Sequence, residues 1–456
     1  MRKDPSVAKI MGIDRGENNL LYVSIIDSDG KIEYQKSFNV LEYEINKEPI
    51  EVDYAKKLSK LAKNRTKARQ DWASIENIKE LKSGYLSVVI HEIVSLIIEH
   101  NCLVVLEDLK SGFKRTRLKF EKQVYQKFET ALINKLSYLY FKPRAREILG
   151  LDLTQPAFQL VPELKTIKEL TGQTGIVLYV NPAHTSKIDP VTGYVNLIDF
   201  TYKSKEATQK LLRDFNLFKY ISDSKQKCFE IKIDYTRIEQ VQKKQWGTQS
   251  EWVICIQNGV ERYQYKGKND KGYIIFEAVD AYEKLENLFI QNNIISKDST
   301  EEILSKISDN SQLKSEFYEE LFRLLKLVFS LRHGDKTNDP SKNIKEANID
   351  FILSPVKGIN GKCFDSREIL KEFPVDQSKE KQEQKIRRAI VADLPLDSDA
   401  NGAYHIAMKG LLILNRIKEL EHSSDEQAMS IDNEDWFNFI QNHHESKWKE
   451  KSLSPI

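Results

Sequence analysis

Cysteine is scarce in this sequence, with 4 in 456 residues: Cys102, Cys228, Cys255 and Cys363. They stand singly, with no C-x-x-C pair and no metal-ligand spacing. They read as reduced structural thiols, which excludes a disulfide framework and a zinc ribbon. Glycine (18) and proline (12) are also few, below their average combined share of about 12%, so collagen-like, linker-like and broadly disordered chains are excluded. No stretch approaches the ~18 predominantly apolar residues of a membrane span. The opening MRKDPSVAKIMGID carries no apolar signal-peptide segment. Net charge is nearly absent too: 70 Lys and Arg against 68 Asp and Glu give +2. That balance argues against nucleic acid only for the chain as a whole, because a sum cannot see local patches. What remains is a soluble intracellular protein, 40% hydrophobic. Its length predicts about three domains, or one large domain with insertions.

The first 40 residues alternate as a strand meander. Ala8 to Asp14 is one apolar run, Leu20 to Asp27 a second, and the turn Ser28-Asp29-Gly30-Lys31 leads into a third, Ile32 to Val40. Residues 53 to 82 then read as helix, free of glycine and proline. Gly84 marks a break, and Tyr85 to Glu99 is apolar nearly all round, as in a buried helix. CLVVLEDL (Cys102 to Leu109) is a buried strand delivering Glu107 at its end. Phe120, Val124, Phe128, Leu132, Leu136 and Leu139 mark an amphipathic helix. From about 150 to 395 strands and helices mix less regularly, with a helix from Phe317 to Leu331 delivering Arg332. Asp397 to Ala403 opens a helix continuing through Leu420, and ESKWKEKSLSPI reads as a frayed tail.

Three acids hold special places: Asp14 ending a first strand, Glu107 ending a later one, Asp399 opening a late helix. A β-β-β-α-β order with acids there is the layout of a ribonuclease-H-like fold, in which those points converge. Clustered carboxylates repel and persist best beside cations. Mg²⁺ suits oxygen ligands, and two such ions activate water and stabilise the leaving oxygen in phosphodiester cleavage. An acid at a strand end taken alone reads more readily as a solvated residue than as a ligand.

Two basic stretches flank the strand that carries Glu107. Ala55 to Gln70 holds Lys56, Lys57, Lys60, Lys63, Arg65, Lys67 and Arg69 without an acid. Lys110, Lys114, Arg115, Arg117, Lys119, Lys122 and Lys127 stand against Glu121 alone. A charge run is usually a solvated face, yet the first lacks the acids for i,i+4 pairs, which favours facing phosphate. Trp72 is a core residue or an anchor in a partner's pocket.

The motifs go further. IMGIDRGENNLLYVSIIDSDGKI, VVLEDLKSGFKRTR followed by EKQVYQKFE, and LPLDSDANGAYHIAMKGL closely resemble the three RuvC motifs of type V-A CRISPR-associated RNA-guided DNA endonucleases, the Cpf (Cas twelve-a) effectors. NRTKARQDWASIENIKELKSGYLSVVIHEI is similar to their bridge helix, and GQTGIVLYV, TSKIDPVTGYVN, DFILSPV and NGKCFDSRE are further matching blocks. The resemblance runs from about residue 8 to about 442. It implies an α/β chain: a split ribonuclease-H-like (RuvC) domain with a bridge helix and an inserted mixed α+β Nuc domain. The implied parts are RuvC I (1–52), bridge helix (53–70), RuvC II with a lid (71–195), Nuc (196–394), and RuvC III with the tail (395–456).

By the same resemblance Asp14, Glu107 and Asp399 hold two Mg²⁺ ions, with Mn²⁺ as a substitute. Arg332 and Asp350 are the Nuc residues. Lys114, Arg115 and Arg117 fall in the lid, and Lys56, Lys60, Lys63, Arg65, Lys67 and Arg69 contact nucleic acid. Trp72 docks into the recognition lobe. The implied activity is cutting of both guide-paired target strands, and of bystander single-stranded DNA, in one site of a prokaryotic cytoplasmic protein. The implied partners are DNA and, through a guide-binding half outside this sequence, CRISPR guide RNA, with no membrane and no obligate homo-oligomer. Two departures stand out. Arg332 sits in SLRHGDK where the family usually has Met before and Asn after the arginine. YVNPAHTSK leaves His184 without an inherited role. The family's recognition lobe, wedge and PAM-reading domain are not in this sequence, so the expectation is the C-terminal half of such an effector.

Three other readings compete. A catalytically silent fragment or split-effector subunit would bind nucleic acid or a recognition-lobe partner. A transposon-type RuvC nuclease would commonly carry a cysteine zinc ribbon, which four isolated cysteines do not supply. A junction resolvase gives no reason for the long insertion. Phosphate contact by the first basic stretch has a measurable signature. Charge reversal of Lys63, Arg65 and Arg69 together is expected to reduce the slope of log affinity for single-stranded DNA against log salt by about two. An unchanged slope in a salt titration identifies that stretch as merely solvated.

Overall fold

The computed structural model describes residues 9–15, 20–38, 40–45, 48–53, 78–108, 119–141, 158–161, 175–222, 227–268, 274–296, 299–336, 348–372, 382–419 and 430–453. In chain order come β1 (Lys9–Asp14), β2 (Tyr22–Ile26), β3 (Ile32–Ser37) and a hairpin of β4 (Val40–Ile45) and β5 (Glu48–Asp53). Helix α1 (Ile78–Glu99), β6 (Cys102–Glu107) and α2 (Lys119–Ser137) follow, then β7 (Tyr140–Phe141), β8 (Phe158–Gln159) and β9 (Val177–Val180). Next are α3 (Lys205–Arg213), β10 (Leu217–Ser222), β11 (Lys227–Asp234), α4 (Glu239–Gln242), β12 (Glu251–Gln257), β13 (Glu261–Lys268), β14 (Ile274–Asp280) and α5 (Ala281–Gln291). After these come β15 (Glu301–Glu302), α6 (Leu304–Ser308), α7 (Ser315–Val328), β16 (Arg332–Lys336), β17 (Asn348–Lys357), β18 (Cys363–Asp365) and α8 (Ser366–Glu372). Helices α9 (Gln382–Ala392), α10 (Ser398–Glu419) and α11 (Asn433–Leu453) close the described chain. None of the described helices is long and apolar enough to cross a membrane.

Contacts divide this mixed α/β chain into two compact units. One takes Met1–Thr185, Val375–Pro395 and Asp399–Ile431; the other takes Ser186–Pro374, Leu396–Ser398 and Asp432–Ile456. The first is built on a five-stranded sheet in the order β3-β2-β1-β6-β9. β1, β2 and β3 are an antiparallel meander, while β6 runs parallel to β1, and β9 parallel to β6. The continuous apolar runs Ile10 to Ile13 and Cys102 to Leu106 are buried throughout, as parallel central strands covered on both faces must be.

Helix α10 covers β1 and β6, and its sequence explains how closely. A Cβ on Gly12 would stand 2.2 Å from the carbonyl oxygen of Ala403 and 2.4 Å from the amide nitrogen of Ala407. One on Gly410 would stand 2.4 Å from Val105 Cγ2 and 2.9 Å from Ile10 Cγ2. Ala403, Ala407 and Gly410 thus form a stripe of small residues on which helix and strand backbones meet. Residues 398–414 are buried on every side.

The second unit contains a seven-stranded sheet, β15-β10-β11-β12-β17-β16, with β18 also paired to β17. Phe218, Phe229, Tyr282 and Phe289 pack against one another beneath it, with ring centroids 5.4 to 6.1 Å apart, a spacing that favours tilted and edge-on pairs.

Several sequence expectations are corrected. The third strand ends at Ser37, and Val40 opens the hairpin β4–β5, whose last residue, Asp53, is where a helix is expected. Gly84 does not break α1; it is an exposed position inside it, where glycine costs only about 1 kcal/mol against a helix held by its buried face. That helix is not buried all round, since Val88 and Ile98 are 45% and 58% exposed. β6 stops at Glu107 rather than Leu109. Helix α7 ends at Val328 and not Leu331, because Leu331 accepts a backbone hydrogen bond from Leu353, and Arg332 pairs with Ile352 in β16. The tail is helical to Leu453. Trp436, Phe437 and Ile440 bury one face of α11, and Trp448 Nε1 donates to the Pro190 carbonyl at 3.3 Å.

The close approach at Gly12 separates three substitutions. Gly12→Ala must displace helix backbone and is expected to cost about 3 kcal/mol or more. Gly410→Ala meets movable side-chain ends and should cost less. Gly84→Ala meets nothing within 4 Å and should stabilise by roughly 0.5 to 1 kcal/mol. Denaturant midpoints check the order. Equal effects at positions 12 and 84 would show that the backbone contact does not govern stability.

Candidate active site

The parallel register of β1 and β6 runs from Lys9 opposite Cys102 to Ile13 opposite Leu106. The next residue on each strand is its last: Asp14 on β1 and Glu107 on β6. Two neighbouring strands therefore end on carboxylates at the same edge. Helix α10 supplies the third by its direction. Ala403 and Ala407 lie over Gly12, and Gly410 lies over Ile10 and Val105, so the helix runs antiparallel to β1. Asp399, one turn before Ala403, then lies toward the edge where Asp14 and Glu107 end. The eleven residues from Asp399 to Gly410 rise about 16 Å, and the four from Ile10 to Asp14 about 13 Å, which matches. Asp399 is 1% exposed and Glu107 8%, while Asp14 is half-buried.

Around Glu107 the same unit arranges groups that the sequence did not single out. Arg15, next to Asp14, donates to the backbone carbonyl of Glu107 and pairs with Glu129 of α2, its guanidinium 5.7 Å from the Tyr125 ring centroid. Thr185 Oγ1 donates to Glu107 Oε1 at 3.1 Å. Lys409 of α10, 3% exposed, donates to the backbone carbonyls of Asn181 and Ala183, each at 2.6 Å. Burial raises the Glu107 carboxyl above the usual range, while Arg15, Thr185 and Lys409 pull it back. Burial lowers the Lys409 ammonium to about 8, with Glu107 opposing. Glu107 is thus a desolvated acid whose ionised form gains from any cation brought beside it.

A family model for the RuvC nuclease domain matches residues 1–445. The chain belongs to the RuvC nuclease family. RuvC nuclease domains are generally divalent-metal dependent, so the donor set can be tested for fit. Among the described residues no three His, Cys, Asp or Glu side chains form a ready-made metal cage. The acids at the RuvC sheet edge are oxygen donors only. A hard cation that keeps its waters and binds one or two carboxylates plus substrate phosphate needs no complete protein cage. Glu107, buried and raised, is a donor of the right kind.

Arg332 and Asp350 belong to the second unit. Arg332 opens β16 and Asp350 lies near the start of β17, with Arg332 Nη2 3.3 Å from Asp350 Oδ2. Asp350 Oδ1 also accepts from the Ser398 hydroxyl at 2.5 Å. The two residues are thus an ion pair, half-buried on adjacent strands. Lys56, Lys60, Lys63, Arg65, Lys67, Arg69 and Trp72 lie outside the described residues, as do Lys114, Arg115 and Arg117. His184 takes a positive φ of 57° in the turn before Thr185.

Arg15 and Lys409 each left a signal in the sequence. Arg15 follows an acid at a strand end, and Lys409 carries the one formal charge between Asp399 and Arg416 in an otherwise apolar helix. Thr185 opens the matching block TSKIDPVTGYVN, but only the fold brings it to Glu107.

Beside Arg332, His333 is 3% exposed and its Nε2 donates to the Ser330 carbonyl at 2.8 Å. Burial, then Arg262, lower its pKa to about 3. A folded value below the unfolded 6.5 means that the unfolded chain binds the proton first as pH falls. The contribution is therefore constant above pH 6.5 and is lost between 6.5 and 3, at about 1.4 kcal/mol per pH unit. Urea denaturation at pH 7.5 and pH 5.0 should show His333→Gln losing about 2 kcal/mol less than the parent over that interval. Identical losses would mean that His333 is protonated in the fold.

Proposed function

We propose that this RuvC chain is a metal-dependent DNA endonuclease, the nuclease lobe of a type V-A CRISPR RNA-guided effector. It hydrolyses phosphodiester bonds of both guide-paired target strands and of single-stranded DNA in one site, acting together with a guide-binding portion that holds the CRISPR RNA. One observation carries the chemistry: the register of β1 and β6 and the direction of α10 bring Asp14, Glu107 and Asp399 toward one sheet edge. The ordered motif blocks from about residue 8 to 442 support the subtype. In this family sequence choice is delegated to guide pairing.

Asp14, Glu107 and Asp399 would hold two Mg²⁺ ions, with Mn²⁺ able to replace them; when bound, such ions activate water and stabilise the leaving oxygen. The chain's own residues prepare the carboxylates. Arg15 fixes the end of β6 through the Glu107 carbonyl, and Thr185 turns Glu107 Oε1. Lys409 ties the loop at 181–183 to α10 and adds a positive charge that favours the ionised form of Glu107 against burial. Burial of Glu107 and Asp399 keeps bulk water away from the reacting phosphate and strengthens each charge interaction. Arg332 and Asp350 guide the target strand, the ion pair holding the guanidinium in its strand. The basic side chains at 56–69 and 114–117 track the phosphate backbone.

The test compares the parent with Asp14→Asn, Glu107→Gln and Asp399→Asn. Labelled single-stranded DNA is supplied with Mg²⁺, with and without a guide-loaded type V-A recognition half. Each substitution should lower metal-dependent cleavage by roughly a hundredfold or more. Each should also weaken Mn²⁺ binding measured by paramagnetic resonance without DNA. Cleavage that survives Asp14→Asn would overturn the site.

A further inference from the structure

Ser398 opens α10, and the next residue is Asp399. The first four N–H groups of a helix have no partner within it, so its first turn is the part most ready to fray. The backbone contact of α10 with β1 at Gly12 begins at Ala403, one turn further on. The third acid therefore stands ahead of that contact, and the residues on either side of it supply further restraint. After it, within the first unit, Gln35 Nε2 donates to the carbonyl of fully buried Ala400 at 3.4 Å. Before it, Ser398 is fully buried too, and its hydroxyl donates to Asp350 Oδ1 at 2.5 Å. That hydrogen bond lies wholly within the second unit, which takes in Leu396–Ser398.

Asp350 is a firm anchor for the bond. It faces Gly334 in the β16–β17 ladder, and two residues on the Ile352 amide donates to Ser366 Oγ at 3.0 Å, so β17 cannot slide without breaking both. Its other oxygen, Oδ2, lies 3.3 Å from Arg332 Nη2. The carboxylate is thus engaged on both oxygens, by a hydroxyl on one and a guanidinium on the other. A separation of 2.5 Å is at the short end of the range for a hydroxyl donating to a carboxylate, where such bonds are strong. A buried hydroxyl also has no water to turn to if it loses its acceptor.

We propose that Ser398 is a positioning residue for the metal-holding carboxylate of Asp399, tied by Asp350 to a fixed strand. The proposal rests on the reading of Asp399 as a ligand of the catalytic ions. Asp350 acts here through Ser398, with Arg332 holding its second oxygen. No bond to Asp399 itself is needed. One peptide unit joins it to Ser398, so a fixed Ser398 limits the directions that the next side chain can take. Groups one step removed from a metal ligand commonly change metal affinity or activity by roughly ten- to a hundredfold. Loss of the Ser398 hydroxyl leaves Asp399 chemically intact and less well placed, so the cost falls on metal binding and turnover and not on DNA affinity.

The test compares the parent with Ser398→Ala, Asp350→Asn, the double variant and Asp14→Asn. In the metal-free chain, hydrogen exchange read by mass spectrometry should be faster in the peptide spanning 397–403 of Ser398→Ala, and unchanged in peptides of α7. Mn²⁺ titrated by paramagnetic resonance should bind roughly tenfold more weakly. With a guide-loaded recognition half and labelled single-stranded DNA, kcat should fall by a similar factor at unchanged KM. Asp350→Asn keeps the acceptor's shape without its charge and should weaken Mn²⁺ in the same direction, so the test stands even if the alanine variant fails to fold. In the Ser398→Ala background Asp350→Asn should weaken Mn²⁺ no further, because both changes act on one bond. Parental Mn²⁺ affinity in Ser398→Ala, a raised KM at constant kcat, or an Asp350→Asn effect that persists in the Ser398→Ala background overturns the proposal and leaves the site reading intact. Mn²⁺ binding that does not respond to Asp14→Asn overturns the site reading, and this proposal with it.

Discussion

The first unit depends on one contact, the backbone-to-backbone packing of α10 on β1 at Gly12. With no side chain between them, the helix sits at the depth that its alanines and Gly410 allow. Its direction along β1 then carries Asp399 toward the edge where β1 and β6 end. A larger residue at position 12 would lift the helix and separate the third acid from the other two. The parallel pairing of β1 with β6 does the same work for Asp14 and Glu107, since a one-residue slip would turn one carboxylate to the other face.

Burial of Glu107 at the end of β6 creates an electrostatic problem that the surrounding residues answer only in part. Glu107 is buried, and burial outweighs the three positive or hydrogen-bonding groups aimed at it. Arg15 divides its guanidinium between the Glu107 carbonyl and Glu129, so it orders the end of β6 more than it neutralises the carboxyl. Lys409 is committed to two carbonyls and carries a charge that burial disfavours. A buried carboxylate of this kind gains from a divalent cation, on which RuvC nuclease domains generally depend.

The second unit places its unusual chemistry around β17. Arg332 and Asp350 pair across β16 and β17, and His333 is buried against Phe351 at 5.6 Å. Arg262 links these features, because its buried charge lowers the imidazole of His333 and the thiol of Cys363 alike. Burial at His333 and the Cys255 thiol at Cys363 remain the larger causes, and the same guanidinium adds to both.

The sequence by itself determined the meander, the strand ending on Glu107 and the helix opening near Asp399, because apolar runs and their terminal acids are local signals. It misjudged points where a tertiary partner outweighs local preference. Leu331 left its helix to bond Leu353, Gly84 stayed inside one, and the charged tail remained helical because Trp436, Phe437 and Ile440 dock. Only the tertiary structure decided the rest. Thr185 hydrogen-bonds Glu107 from 78 positions away in the chain, and the Lys409 charge acts on it from 302 positions away. Periodicity reports which face of an element is apolar. Which residues of other elements meet that face follows from strand order, register and packing depth, and these belong to the folded chain alone.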